Sequence, residues 1–297
     1  MSNRLPISRL DHVALRVPDP RAAADFYMRV LGLASTGQDP ASGAIRLSAV
    51  PRGASEVSRH EIVLYPGEPA ALEHIAFTAA NGQSLAFSAG ILRARGLAVE
   101  GPRAFEAVHS PAIRFRDADG YLVEIVATEA PVTRPPGGGP VDLIKLSHIN
   151  IRSPEPRRAA SWWQDIMDFR LSDEIPETFY WLRCNSEHST VAIVRSNGVG
   201  VHHIGFEVAS WEDIRRCGDH LAANGVKIEY GPGRHGPGNS VFLYFVDPWQ
   251  IRWELLCELQ RIENDGTFKP GVWDPTKGRV AAVNLWGPPP PESFMRQ

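Results

Sequence analysis

The chain has 297 residues, with 31 lysine and arginine residues against 34 aspartate and glutamate residues, so its formal net charge is -3. This length suits two domains of about 130 residues, and this charge offers no broad basic surface for nucleic acid. The N-terminal stretch has no signal-type apolar core, and no apolar run reaches the length of a membrane helix. The three scattered cysteines lack the spacing of a metal site or of a disulfide framework. We therefore expect a soluble cytoplasmic protein that acts on a small molecule, without a nucleic-acid or membrane partner.

A pattern of strand, turn and helix occurs four times along the chain. Residues 10–33 and 146–171 each begin with a histidine in an apolar run, followed by a proline-bearing turn and a helix rich in alanine and aromatic residues. Residues 73–97 and 202–226 repeat the pattern, with a glycine near the helix end. The four stretches therefore predict four related modules.

The second and fourth stretches each continue into a predicted hairpin. These hairpins, at 112–127 and 241–256, place apolar β-forming residues on both sides of Asp-Ala-Asp-Gly and Asp-Pro-Trp-Gln turns. Each quarter of the chain then reads as β-α-β-β-β. We predict an α+β fold of two domains, each built from a pair of βαβββ modules.

The predicted domain boundaries follow from composition. Residues 131–141 are rich in proline and glycine, which cannot sustain a helix or a central strand, and we interpret them as a linker. The two domains then span 1–130 and 142–262.

The last stretch, 263–297, has no clear periodicity and contains a proline run that is incompatible with a helix. It also contains Trp273, Trp286 and Phe294. The sequence leaves two interpretations open, a partly disordered tail or an ordered segment whose aromatic side chains cover the second domain and its site.

The last hairpin places unusual polar residues on an apolar strand pair. Strands that pair across the turn at 247–250 put Tyr244 opposite Glu254 to within one residue. A carboxylate facing the protein interior needs a cation or donors to offset its desolvation. Arg252, on the same side by alternation, is one possible partner, and a metal ion is the other.

Histidines at equivalent module starts favour the metal. His148 and His203 begin the third and fourth modules, and two imidazoles with one carboxylate, each from a separate strand, form a ligand set that holds Fe(II) on one face and leaves the opposite positions open. His202, adjacent to His203, is expected to face the other side of its strand by alternation, so it receives no metal role.

Three more polar residues accompany this set, namely His188, His235 and Tyr244. The intervals from His188 through His203, His235 and Tyr244 to Glu254 are 15, 32, 9 and 10 positions. This pattern resembles the type I extradiol ring-cleavage dioxygenases, of the catechol 2,3-dioxygenase and homoprotocatechuate 2,3-dioxygenase kind, within the vicinal oxygen chelate superfamily. The resemblance covers nearly the whole chain.

The resemblance implies a function and a cofactor. The chain would insert both atoms of dioxygen into a catechol-type substrate and release a ring-opened semialdehyde or related acid. His148, His203 and Glu254 would be ligands of Fe(II), although Mn(II) accepts the same set. Self-association into a homo-oligomer is also implied.

The resemblance further implies roles for the surrounding residues. His188 would assist the oxygen step by donating a proton, while His235 and Tyr244 would hydrogen-bond the substrate oxygens. Asn150 and Tyr180 are predicted on the substrate side, with a plain core role as the alternative for Tyr180.

The first half carries a similar set, His12, His74 and Glu124, at the repeat-equivalent positions. Arg114 stands where the second half has Tyr244, and a fixed cation there competes with a metal for the carboxylate. We expect the first domain to be non-catalytic, either with a remnant of a metal site or with a second occupied one.

Two other classes of function remain open from sequence, as does a homologue that keeps the site but has its pocket closed by the C-terminal aromatic segment. A glyoxalase-type isomerase or lyase would use the same metal without oxygen but typically recruits a second carboxylate, and a non-catalytic binding or resistance module would not need His188, His235 and Tyr244.

The sequence does not specify which catechol is cleaved. Four arginines lie near the site in sequence, and they either meet a substrate carboxylate or, for most of them, are solvated at the surface: Arg152, Arg183, Arg234 and Arg252.

Overall fold

A computed structural model describes residues 4–80, 84–105, 108–127, 129–135, 139, 141–274 and 283–295. The parts of the predicted linker and tail at 136–138, 140, 275–282, 296 and 297 lie outside the described residues. The chain divides into two compact units, Met1–Gly138 with Ser161–Phe169, and Gly139–Ala160 with Arg170–Gln297. Among the helices of the described part, none combines the length and the apolar character needed to cross a membrane.

The first unit follows the predicted module order twice. Its strands and helices are β1 Ile7–Val17, α1 Pro20–Val30, β2 Ala34–Gln38, β3 Ile45–Ser48, β4 Glu56–Val57, β5 Ile62–Pro66, β6 Ala71–Ala79, α2 Leu85–Ala94, β7 Glu100–Phe105, β8 Val108–Arg116, β9 Leu122–Val126 and β10 Val132–Thr133. Eight of these strands form one sheet in the order β2-β3-β5-β1-β6-β9-β8-β7. The two modules meet where β1 pairs antiparallel with β6 at the centre of the sheet.

The second half of the chain repeats this arrangement. Its elements are β11 Leu143–Ser153, α3 Pro156–Met167, β12 Arg170–Ile175, β13 Phe179–Arg183, β14 Val191–Arg195, β15 Gly200–Val208, α4 Trp211–Ala223, β16 Ile228–Arg234, a 3-10 turn Pro237–Asn239, β17 Val241–Val246, β18 Arg252–Cys257, β19 Gly271–Val272 and α5 Glu292–Met295. They build a nine-stranded sheet in the order β16-β17-β18-β15-β11-β14-β13-β12-β19. The predicted α+β fold of paired βαβββ modules is confirmed.

Local signals explain where the helices begin. Asp19 caps α1 by accepting hydrogen bonds from the backbone of the first turn, and Pro20 occupies the first helical position. Ser210 caps α4 in the same way, through the backbone N–H of Asp213. Helix α4 then buries Ile214 and Leu221 on one face, as an amphipathic helix does.

Two features differ from the division drawn from sequence. Residues 161–169 group with the first unit, where the ring of Trp163 lies 5.6 Å from that of Phe77. The predicted linker also contributes β10, which pairs with β4 through Val132 and Val57. A proline-rich stretch excludes a central strand but still allows a short edge strand of this kind.

Candidate active site

The site in the second unit is a row of residues across neighbouring strands. His148 pairs with Gly205, Gly205 pairs with Glu254, and Glu254 pairs with Tyr244. Residues directly opposite one another in a sheet point to the same face, so these side chains share one surface. The predicted pairing of Tyr244 with Glu254 is confirmed.

Three side chains on this face form a tight triangle of ligand atoms. His148 Nε2 and His203 Nε2 lie 3.0 Å apart, and Glu254 Oε2 lies 3.0 Å from the first and 3.1 Å from the second. Metal–ligand bonds of about 2.1 Å at right angles separate neighbouring ligand atoms by about 3.0 Å. The three predicted ligands therefore fit one face of a six-coordinate divalent ion.

Gly205 makes room for the first of these ligands. A Cβ atom at Gly205 would lie 2.5 Å from Cε1 of His148, closer than any real contact allows. The absent side chain lets the His148 ring cross strand β15 toward Glu254. The sequence contained the glycine, but only the register shows that the glycine faces the ring.

Burial and hydrogen bonding set the protonation of His203 and Glu254. Desolvation lowers the pKa of His203 to about 4, so its imidazole is neutral at neutral pH and offers a lone pair. Burial acts to raise the pKa of Glu254, but hydrogen bonds and charge from His148, together with His203 and His235, hold it well below its usual range. Neutral imidazoles beside an ionised carboxylate are the forms that bind a metal.

His202 does not lie on the opposite side of the sheet, and this prediction was wrong. Strand β15 carries a β-bulge here, because Asn150 pairs with His203 while Ile151 pairs with Val201. The extra residue breaks strict alternation. Its Nδ1 lies 2.7 Å from Nδ1 of His203, and it can accept the N–H of that ring when Nε2 of His203 carries the lone pair.

His235 and Tyr244 form a hydrogen-bonded pair beside the carboxylate. His235 Nδ1 donates to the backbone carbonyl of Val283 at 2.6 Å, so in the neutral ring Nε2 is the acceptor. The Tyr244 hydroxyl lies 3.0 Å from this Nε2. Burial, and then the charge of Glu254, raises the pKa of Tyr244 well above its ordinary value, so the phenol keeps its proton.

His188 is held by a carboxylate that the sequence did not suggest. Its Nε2 donates to Asp173 Oδ2 at 2.9 Å, and Asp173 Oδ1 accepts the backbone N–H of Gly271 at 2.8 Å. Asp173 belongs to β12 and Gly271 to β19, far from His188 in sequence. The pairing of these strands orients the histidine.

Asn150 is fully buried next to the ligands, and neither its amide oxygen nor its nitrogen has a hydrogen-bond partner. Tyr180 is different, because its hydroxyl accepts the backbone N–H of Glu177 at 3.1 Å. Its neighbours Phe179 and Trp181 line the cavity instead. The placement of Tyr180 on the substrate side is therefore corrected, since strand alternation turns it to the opposite face.

Arg252 does not compensate Glu254. Its guanidinium binds Glu229 through two hydrogen bonds, of 2.6 and 2.9 Å. The cationic partner considered from sequence thus belongs to another carboxylate, which leaves the two imidazoles as the neighbours of Glu254 Oε2.

A small cavity of about 50 Å³ opens on the triangle of ligand atoms. It touches all three predicted ligands and is further lined by Phe179, Trp181, His188, Ser189, His202, His235, Pro237, Ser240, Tyr244, Leu259, Val283 and Phe294. In the described end of the tail, the ring of Phe294 lies 4.9 Å from that of Tyr244. This placement agrees with the interpretation of the tail as a cover, which stays a prediction.

The family model of the Glyoxalase/Bleomycin resistance protein/Dioxygenase superfamily matches residues 9–125 and 145–255. The chain belongs to this superfamily. The two matched ranges correspond to the two pairs of modules, and the resemblance expected from sequence is confirmed.

Named proteins of this superfamily are similar over nearly the whole chain. Metapyrocatechase 2 of Cupriavidus necator is 25% identical, covering 99% of this chain and 93% of its own. A manganese-dependent 2,3-dihydroxybiphenyl 1,2-dioxygenase of Geobacillus genomosp. 3 is 28% identical over 82% of each. Among solved structures, a Mn(II)-bound glyoxalase from Novosphingobium aromaticivorans is 27% identical with a TM-score of 0.82, covering 97% of this chain and 94% of that one.

Proposed function

We propose that this chain is an extradiol ring-cleavage dioxygenase that opens a catechol-type substrate with dioxygen. One observation carries the proposal: the His148, His203 and Glu254 triangle faces the same cavity as His188, His235 and Tyr244. A metal that only binds a ligand does not need three further proton-transfer groups around it.

The names of the relatives support this class of reaction. A 1,2-dioxygenase acting on a 2,3-diol cleaves the ring beside the two hydroxyls rather than between them, which is extradiol cleavage. When bound at the triangle, a divalent ion of iron or manganese supplies Lewis acidity and an electron path between the diol and dioxygen.

Tyr244 and His235 provide a route for the phenolic proton of the substrate. His235 Nε2 faces the Tyr244 hydroxyl as an acceptor, so a proton entering at Tyr244 can pass to His235. The carboxylate Oε1 of Glu254 lies 3.4 Å from the same Nε2 and stabilises the imidazolium that results. The acceptor is set by the bond from Nδ1 to Val283.

His188 is assigned the proton donation of the oxygen step, from Nδ1, because its Nε2 is hydrogen-bonded to Asp173. It is almost fully buried, lines the cavity, and is oriented by Asp173. An acid held in one orientation by a carboxylate is pre-positioned for transfer and is shielded from bulk water.

A second, larger cavity supports a substrate with an apolar substituent. It has a volume of about 230 Å³ and shares Phe179, His202, Val283 and Phe294 with the cavity at the ligands. Its remaining wall residues are Ile175, Thr178, Val194, Arg195, Pro290 and Met295. Such a wall favours alkyl or aryl groups over a carboxylate.

The charged residue of this wall is already engaged. Arg195 donates to the backbone carbonyls of Glu177 and Pro154, at 2.5 and 3.1 Å. Of the arginines considered from sequence, Arg183 binds Asp265 and Arg234 binds Glu258. These ion pairs argue against an anionic substituent.

The function is tested by oxygen uptake and product absorbance. Protein purified without oxygen and loaded with Fe(II) or Mn(II) is mixed with a panel of catechols in aerated buffer. We expect stoichiometric oxygen uptake and a yellow ring-opened product, both lost in His203→Ala and kept in the matched control His220→Ala, on α4. Metal binding without oxygen uptake across the panel would overturn the proposal in favour of a non-oxidative isomerase or lyase.

The substrate class is tested by kcat/KM for alkyl- and aryl-catechols against carboxylated catechols of matched length. We expect the apolar substrates to be preferred, and Val194→Lys to reverse or abolish that preference, while Val199→Lys, at a position with 55% exposure, leaves it unchanged. Cleavage of carboxylated catechols with higher kcat/KM would contradict the substrate class and leave the reaction type intact.

Two predictions from sequence stand as part of this proposal. Free cysteines at all three positions agree with a cytoplasmic location. A homo-oligomer, checked by light scattering of the purified chain, is the expected assembly.

A further inference from the structure

The first unit contains a second triangle of ligand atoms, formed by His12, His74 and Glu124. The row across its sheet matches that of the second unit, because His12 pairs with Ala76, Ala76 with Glu124, and Glu124 with Arg114. His12 Nε2 lies 3.0 Å from His74 Nε2, which lies 3.6 Å from Glu124 Oε2. These separations span those expected of ligand atoms around one ion, about 3.0 Å at right angles and about 3.4 Å at tetrahedral angles.

We propose that His12, His74 and Glu124 bind a second divalent transition-metal ion, which stabilises the first unit and takes no part in ring cleavage. This inference does not depend on the proposed reaction. It depends on the polar atoms of the first unit alone.

Arg114 leaves the metal-facing oxygen of Glu124 free. The guanidinium Nε of Arg114 binds Glu124 Oε1, and its plane lies over the Phe105 ring, 3.9 Å from the centroid. Oε2 has no hydrogen-bond partner, although it is buried beside His74. A buried carboxylate oxygen without a partner costs free energy, and a metal ion removes that cost.

In Glu254 and in Glu124, the two carboxylate oxygens have different partners, and the pattern is the same in both. Glu254 turns Oε2 to the histidines and Oε1 toward His235, whereas Glu124 turns Oε2 toward His74 and Oε1 to Arg114. Arg114 thus binds Oε1, the oxygen that does not face the histidines, and leaves Oε2 available to a metal ion.

A carboxylate behind His12 orients that ring for metal binding. Asp11 Oδ1 accepts from His12 Nδ1 at 2.9 Å, and Asp11 Oδ2 is fixed by the Thr78 hydroxyl at 2.6 Å. A carboxylate that holds the far nitrogen of a histidine is the usual support of a metal ligand, because it fixes the tautomer and leaves Nε2 as the lone pair. The corresponding neighbour of His148 is only the Ser147 hydroxyl, at 3.3 Å.

Burial indicates a structural ion. The side chains of His12, His74 and Glu124 are 0%, 1% and 0% exposed, against 7%, 6% and 2% for His148, His203 and Glu254. A site so enclosed by its own unit suits an ion that stays bound, since catalytic ions keep an open position.

The test counts metal ions in the full-length chain. Protein is loaded with excess Mn²⁺ or Zn²⁺, desalted, and assayed for metal per chain. We expect two ions in the wild type, one in Glu124→Gln, one in His203→Ala, and none in the double variant. One ion in the wild type that persists in Glu124→Gln would overturn the proposal.

A second measurement starts from His203→Ala, whose first unit is unaltered. In His203→Ala, titration with Co²⁺ should produce one equivalent of d–d absorption and raise the melting temperature. Adding Asp11→Asn should weaken this binding by about 10- to 100-fold, whereas Arg114→Tyr should tighten it by removing a competing cation. Absence of the absorption band in His203→Ala would overturn the proposal whatever the folding of the other variants.

Discussion

The two halves of the chain share one architecture and differ in what surrounds the metal ligands. Both rows run from a histidine through a small residue to a glutamate, but the first has Ala76 and Arg114 where the second has Gly205 and Tyr244. The ligand-type residues are therefore common to both, while the pair of His235 and Tyr244, to which we assign proton transfer, occurs in the second half. If both proposals hold, metal binding and catalysis are separable properties of this fold.

The largest expected effect is the difference in turnover between variants of Glu254 and of Glu124. Glu254→Gln should lower turnover by at least about 1,000-fold, because loss of a charged ligand removes several kcal/mol of metal-assisted stabilisation. Glu124→Gln, the matched change in the first half, should leave turnover within about twofold. Steady-state oxygen uptake well below the melting temperature of both variants checks this. Equal losses would show that both centres serve the reaction.

The second effect concerns one buried histidine from each half of the chain, His188 and His60. His188→Gln should lower kcat by about 100- to 10,000-fold, the usual contribution of a positioned acid or base. Anaerobic binding of catechol should change little, because the lost group acts on the oxygen step. His60→Gln is the control, since His60 is also buried but neither ring nitrogen has a hydrogen-bond partner. A large rise in the catechol Kd in His188→Gln would contradict this assignment.

A third change exchanges the small residues of the two rows. Gly205→Ala should weaken metal binding by about 10- to 100-fold, comparable to loss of a ligand's support, because the new methyl group displaces the His148 ring. The reciprocal Ala76→Gly should not weaken metal binding in the first unit. Metal Kd values from competition with a coloured chelator check both. Unchanged affinity in Gly205→Ala would mean that the ring can move aside.

The smallest effect concerns the turns that begin at Asp117 and Asp247, which both halves share, and the tryptophans that donate to these two aspartates. Trp253 Nε1 donates to Asp247 Oδ2 at 2.9 Å, and Trp163 Nε1 donates to Asp117 Oδ2 at 3.2 Å. Replacing either tryptophan with phenylalanine should lower the free energy of unfolding by about 1–3 kcal/mol, because a buried acceptor loses its donor. Trp211→Phe, at an exposed position, should change it by less than about 0.5 kcal/mol. Denaturant titration distinguishes these outcomes.

Much of the site was predictable because its signals are local or repeated. The spacing from His188 to Glu254, the histidine at each module start and the turn at Asp247 are all readable along the chain, and they place His148, His203, Glu254 and Tyr244 on one face. His202 was misplaced, because a β-bulge is a property of two paired strands and leaves no trace in one of them.

The partners of these residues were less predictable, because they lie far away along the chain. Asp173 reaches His188 from another strand, Glu229 takes up the charge of Arg252, and the carbonyl of Val283 selects the tautomer of His235. Carboxylates and carbonyls of this kind are common in any sequence, and nothing local marks those that become partners.

The fourfold βαβββ repeat is readable along the chain, because strand alternation, turn chemistry and helix capping act over a few residues. The candidate ligand residues are readable too, because they recur at the starts of the modules. Their hydrogen-bond partners, the aromatic side chains that line the cavity and the place of Phe294 beside it emerge only in the folded chain. Register and long-range packing bring these groups together, and their separation along the chain carries no signal.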